Sequence, residues 1–149
     1  MSWFDSSDQE ILLSEIHEHL KKHSKSKLIV GVDSQYYPPK TVFVLVVCIV
    51  STDTCSVRKY FYKKSITKNK YSFYSRIFEE AKLAVELAVQ LNFHKTPEIH
   101  LDISPPESNC KTSKHSNSLL NYAESFGFST CIKPNSWAAS SIADRYTKK

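Results

Sequence analysis

The chain has 149 residues, 20 of them basic and 15 acidic, for a formal charge of +5. That length suits one domain able to bury a core, and 41% hydrophobic with 23% charged residues is the composition of a globular chain. No apolar run reaches membrane-spanning length, and the start MSWFDSSDQE has no basic segment followed by an apolar one, so the expectation is a cytoplasmic protein without a membrane partner. Two glycines, Gly31 and Gly127, exclude the loops that need several glycines to cradle phosphate, both the P-loop and the dinucleotide fingerprint. The four cysteines, Cys48, Cys55, Cys110 and Cys131, form no C-x-x-C pair, so reduced thiols are expected and neither a zinc knuckle nor a redox motif is predicted.

In chain order, residues 8–23 place Ile11, Leu12, Ile16 and Leu20 at helical spacing behind two capping candidates, Ser6 and Ser7. This predicts an amphipathic opening helix within an N-terminal helical extension over residues 1–26, with His17, His19 and His23 on its solvated side. KLIVGVD, 27–33, reads as an apolar strand that stops at Asp33 before the turn-forming QYYPPK. Residues 41–51 are apolar almost without alternation, the mark of a strand covered on both faces. Residues 55–64 partly alternate and complete a three-strand meander, with this third strand nearer the edge.

Residues 71–93, with Ile77, Ala81, Ala84, Ala88 and Leu91 on one stripe, predict a long helix. A short buried strand over 97–103 precedes Pro105 and Pro106, and a Ser- and Asn-rich loop leads to a helix near 115–126 ended by Gly127. A short strand over 128–134 and a last helix over 135–148, capped by Asn135 or Ser136, complete the chain. The order is one helix, then β-β-β-α-β-α-β-α, in a single α/β domain over 1–149 with no internal repeat and no linker.

Charge is unevenly distributed. Residues 54–78 carry Arg58, Lys59, Lys63, Lys64, Lys68, Lys70 and Arg76 and no acid, interleaved with Tyr60, Phe61, Tyr62, Tyr71, Phe73, Tyr74 and Phe78. Cations among aromatic rings suit phosphate backbones and stacked bases. The competing reading is a strand whose solvent face is lysine-rich for solubility.

Asp33 and Asp102 each follow a strongly apolar run, where an unpaired charge is costly. If their strands are adjacent and parallel, both reach the crevice at the carboxyl edge of the sheet. Asp144 lies past the middle of the last helix, where the dipole disfavours it, on one stripe with Trp137 and Ser141. Three acids without Cys or His partners suit a hard cation, Mg²⁺ or Mn²⁺, and paired ions of this kind serve phosphodiester cleavage. Taken singly, Asp33 and Asp102 also read as turn caps, and Asp144 as a partner of Arg145 or Lys148.

GVDSQ (31–35), HLDIS (100–104), KHSN (114–117) and KPNSWAASSIADRYTK (133–148) resemble the YkuK-type ribonuclease H-like family of bacteria over about residues 27–149. The resemblance implies a ribonuclease H-like mixed five-stranded sheet with the N-terminal helix as an addition. It also implies a fourth carboxylate early in the first sheet-crossing helix, where Glu80 is preferred over Glu79 and Glu86. The expected metal and catalytic set is then Asp33, Glu80, Asp102 and Asp144, holding two Mg²⁺ or Mn²⁺ ions. His115, in the loop where such enzymes place a mobile proton-transfer residue, is either a general acid or base or a surface histidine. Ala138, Ala139 and Ala143 let the last helix approach the sheet, while Ser141, Arg145 and Lys148, with Lys114 in the preceding loop, are candidates to contact phosphate. Trp137 reads as core rather than stacking platform, and His100 as structural, turned away from Asp102.

The resemblance implies a metal-dependent nuclease acting on RNA, an RNA–DNA hybrid or structured DNA. A non-catalytic nucleic-acid-binding or assembly module with the same fold is the alternative. A third reading, a Holliday-junction resolvase, requires a homodimer presenting two sites.

Overall fold

The computed structural model describes residues 2–148; Met1 and Lys149, the two ends of the expected domain, lie outside the described residues. Two short strands open the chain, β1 (Trp3–Asp5) and β2 (Glu10–Ile11), followed by α1 (Leu13–Lys22). The apolar runs form β3 (Lys27–Tyr37), β4 (Lys40–Val50) and β5 (Val57–Thr67), then come α2 (Phe73–Leu91), β6 (Glu98–Leu101), α3 (Ser116–Glu124) and β7 (Thr130–Cys131). The last helix begins as a π-helical turn, Ala138–Ala143, and continues as α4 (Asp144–Thr147). All seven strands join one mixed sheet in the order β2-β1-β5-β4-β3-β6-β7. Among the described residues, no helix is long and apolar enough to cross a membrane.

The sheet therefore has seven strands instead of the expected five. The N-terminal extension is not purely helical, because β1 pairs antiparallel with β5 (Phe4↔Tyr62) and draws residues 3–11 into the sheet. β5 is consequently interior rather than near the edge, and it runs on to Thr67, absorbing part of the expected basic loop. The opening helix is shorter than predicted. Its N-cap is Leu12, with no capping side chain, and Ser7 instead donates its backbone N–H to Asp5 Oδ1 in the turn before it. The last helix likewise starts without a side-chain cap from Asn135 or Ser136, at Trp137. Ser72 does cap α2, accepting the Ser75 N–H at 3.1 Å, and Gly127 follows α3 with a φ of +89°.

β4 reads as uniformly apolar because both of its faces are buried. Phe43, Leu45, Val47 and Ile49 join α1 and α2 in one core, while Val44, Val46, Cys48 and Val50 join Ala138, Ile142, Ala143 and Tyr146 in another. β3 divides the same way: Leu28, Val30 and Val32 belong to the first core and Ile29 to the second. Gly31, on the second face, lies directly under the last helix. A Cβ there would stand 2.7 Å from the Ala139 N and 2.8 Å from the Ala138 carbonyl carbon. Glycine is required at this position for close approach rather than for backbone freedom.

Gly31→Ala should lower stability by about 1–3 kcal/mol, because the obstructing atoms are backbone and no neighbouring side chain can make room. Urea unfolding, with an unchanged denaturant slope and an earlier midpoint, is the measurement that checks it.

Candidate functional site

The parallel pairing of β3 with β6 runs from Ile29↔Glu98 to Val32↔Leu101 and stops there. Asp33 and Asp102 are the next residue on each strand, so the expectation of adjacent, parallel strands holds. One detail differs. β3 does not end at Asp33 but continues through Tyr37 in its antiparallel pairing with β4, which places Asp33 inside a strand, opposite Val44. The backbone of this buried aspartate is therefore held by strand pairing on the β4 side, just beyond the last residue paired with β6.

α2 contributes Glu80, about two turns from its start. It is buried, whereas Glu86 is exposed and Glu79 half-buried, and it accepts a hydrogen bond from Ser34 Oγ at 2.5 Å. Asp144 follows the π-helical turn directly and is hydrogen-bonded to Asp33. A π turn advances by more residues than an α turn, so the predicted α-helical stripe does not hold. Asp144 meets Asp33, Ser141 is exposed, and Trp137 packs edge-on against His100 with ring centroids 5.0 Å apart.

Asp102 and Asp144 act on Asp33, and Asp33 and Asp102 act on Glu80. Burial first, then the hydrogen bond with Asp144 and the charge of Asp102, pushes Asp33 up to about 8. Burial and then the charge of Asp33 hold Glu80 well above the usual carboxylate range, against the opposing hydrogen bond from Ser34. The two outer acids carry lysine partners. Lys148 Nζ donates to Asp144 Oδ2 at 2.9 Å, and Lys133 Nζ stands 3.2 Å from Asp102 Oδ1. The latter pair lacks hydrogen-bond alignment, so Asp102 Oδ1 is a buried oxygen with a cation near it and no directed donor. Oxygen-only donors and the orphaned Asp102 oxygen are the donor chemistry of a hard divalent cation, although among the described residues no three of these carboxylates bring ligand oxygens within 4.8 Å of one another, as Glu98, His100 and Cys131 do. Lys133 opens the quoted 133–148 segment but is not among the sequence-based site candidates, because nothing local to it points to Asp102.

The basic residues of 54–78 do not form one surface, because strand alternation divides them. Lys59 reaches His19 of α1 at 3.5 Å and Lys63 lies over the Trp3 ring at 5.8 Å, while Tyr60 and Tyr62 face Tyr146 on the opposite side. Lys64 follows the Tyr60 and Tyr62 side and is paired with Val44, which is itself paired with Asp33. Arg58, Lys68 and Lys70 are exposed, and Arg76 is half-buried on α2, where its charge favours ionised Glu80. Arg145 Nη1 donates to Tyr60 Oη at 3.4 Å, and Lys114 is exposed. His115 stacks on Tyr74, with centroids 4.3 Å apart, at the start of α2.

A second cluster lies farther along the same sheet face. Glu98, His100 and Cys131 bring ligand-type atoms within 4.8 Å of one another. The Cys131 thiol, pushed up to about 11 chiefly by burial, donates to Glu98 Oε1 at 2.7 Å, and Lys27 pairs with Glu98 Oε2 at 2.5 Å. His100 Nδ1 accepts the Ala138 N–H at 3.2 Å, so neutral His100 carries its proton on Nε2, 3.3 Å from Glu98 Oε1. A metal at Nε2 would need that proton moved to Nδ1, against a backbone donor, so the cluster is closed by its own hydrogen bonds. His100 is thus structural as expected. Its direction is corrected, since it faces the last helix, the side to which Asp33 also turns.

Residues 11–148 match the family model described as Ribonuclease H-like. A search of curated proteins returns no match. Among solved structures the chain is similar to the N-terminal RNase H domain of rv2228c from Mycobacterium tuberculosis, solved as a fusion with maltose-binding protein. The two share 11% sequence identity with a TM-score of 0.41, over 83% of this chain and 94% of that one.

Because Asp33 and Glu80 bind protons more tightly when folded, the folded state holds more protons than the unfolded one between the ordinary carboxylate range and about 8. Their contribution to stability is complete at low pH and is lost as pH rises through that window. His100, lowered by burial, acts in the opposite direction. Comparison with Asp33→Asn isolates the carboxylate: in EDTA the variant should gain stability over wild type at pH 8 and little or none at pH 4. Paired urea melts at the two pH values test this, and an equal difference at both would refute it.

Proposed function

The chain belongs to the ribonuclease H-like family, and from that premise we propose that it is a metal-dependent nuclease hydrolysing phosphodiester bonds in RNA, an RNA–DNA hybrid or structured DNA. The observation that carries this reading is the gathering of acids around Asp33 of β3: Asp144 of α4 hydrogen-bonds it, and Asp102, at the end of β6, and Asp33 both oppose ionisation of Glu80 of α2. These four would hold two Mg²⁺ or Mn²⁺ ions, which when bound supply water activation and neutralise charge on the phosphate. To serve as ligands, Asp33 and Glu80 would have to release their protons to solvent, since burial and neighbouring charge favour the protonated forms. Ser34 Oγ then fixes the orientation of Glu80. Ser141, Arg145 and Lys148 of the last helix, with Lys64 and Lys114, would be the candidates to contact the substrate backbone, Lys148 already lying on Asp144.

The ion pairs of Lys133 with Asp102 and Lys148 with Asp144 favour a second reading, a non-catalytic nucleic-acid-binding module whose acids are satisfied internally. Cleavage of labelled single-stranded RNA, RNA–DNA hybrid, duplex DNA and four-way junction in Mg²⁺ and Mn²⁺ separates the two. Wild type should cleave at least one substrate, and Asp102→Asn should reduce the rate at least about a hundredfold with binding retained. Salt-sensitive binding without cleavage by either protein would establish the second reading instead.

A further inference from the structure

Lys133 is not one lysine among many on a charged surface. Its backbone is tied to the strand that ends at Asp102, the Lys133 N–H donating to the Ile103 carbonyl at 3.0 Å, one residue beyond that aspartate. Its side chain returns over Asp102 and brings Nζ to 3.2 Å from Oδ1 while remaining 45% exposed. The oxygen it approaches is the one buried carboxylate oxygen among the described residues left without a hydrogen bond. An ammonium on a four-carbon stem, close but not aligned, neutralises charge without occupying the directed position that a ligand would take.

We propose that Lys133 is an exchangeable counter-ion of Asp102. A divalent cation displaces it from the carboxylate, and the released ammonium then contacts a phosphate of the bound nucleic acid. This rests on the nuclease reading and adds to it a specific order of charge exchange. The amine holds the site together while metal is absent, competes with metal for Asp102, and contributes to substrate affinity once the metal is in place. A solvent-exposed stem makes the swing sterically free, and the anchored backbone keeps the ammonium beside the site in both positions.

The two roles have opposite signs in one substitution, which a merely structural ion pair does not produce. Lys133→Ala should bind Mn²⁺ about two- to fivefold more tightly by calorimetry, the range set by loss of a partly exposed ion pair. The same variant should bind the labelled nucleic acids more weakly in Ca²⁺, with the slope of log affinity against log salt shallower by about 0.7–0.9, the loss of one phosphate contact. Lys133→Arg, which keeps the charge, should restore the nucleic-acid affinity and salt slope. Mn²⁺ bound equally by wild type and Lys133→Ala, or tighter Mn²⁺ binding with unchanged nucleic-acid affinity and slope, overturns this proposal and leaves the nuclease reading standing. Folded wild type that takes up no Mn²⁺ overturns both.

Discussion

The last helix rests on β3 at backbone distance, and this contact is available only because residue 31 lacks a side chain. With the Ala139 N and the Ala138 carbonyl carbon under 3 Å from the position of a Cβ, the helix could not sit at this depth over any other residue. Two further consequences follow from the same contact. The Ala138 N–H meets His100 Nδ1, fixing the imidazole tautomer and closing the Glu98 and Cys131 network beneath it. The π-helical turn that starts there then delivers Asp144 to Asp33 from the opposite end. A short helix of small residues thus covers the second face of the sheet and brings one side of the carboxylate group together.

The other side is set by where strand pairing stops. β3 and β6 pair only as far as Val32 and Leu101, so Asp33 and Asp102 follow side by side where that pairing stops. The inner pair, Asp33 and Glu80, is buried and kept from ionising by its surroundings, whereas Asp102 and Asp144 are more exposed and each carries a lysine. Electrostatic strain is therefore graded from the interior outward. The inner acids are held protonated by burial and neighbouring charge, and the outer two are each paired with a lysine.

Much of this was legible along the chain. β3, β4 and α2 announce themselves through unbroken apolar runs or a regular stripe, because doubly covered strands and one-sided helices impose those patterns directly. Asp33 and Asp102 stand out for the complementary reason, each being a charge placed immediately after such a run. Ala138, Ala139 and Ala143 signal close packing because nothing larger fits.

What the sequence determined by itself is thus the local periodicity: which stretches are strands or helices, which faces are apolar, and which charges break the pattern. Tertiary structure alone decided that β1 returns to cover β5, that Lys59 and Lys63 leave the side Lys64 shares with Tyr60 and Tyr62, that the last helix opens as a π turn, and that Lys133 reaches Asp102. Periodicity follows from neighbours three or four residues away. Each of these other outcomes depends on pairing between segments far apart in the chain, where the identity of the partner, and not the local pattern, sets the energy.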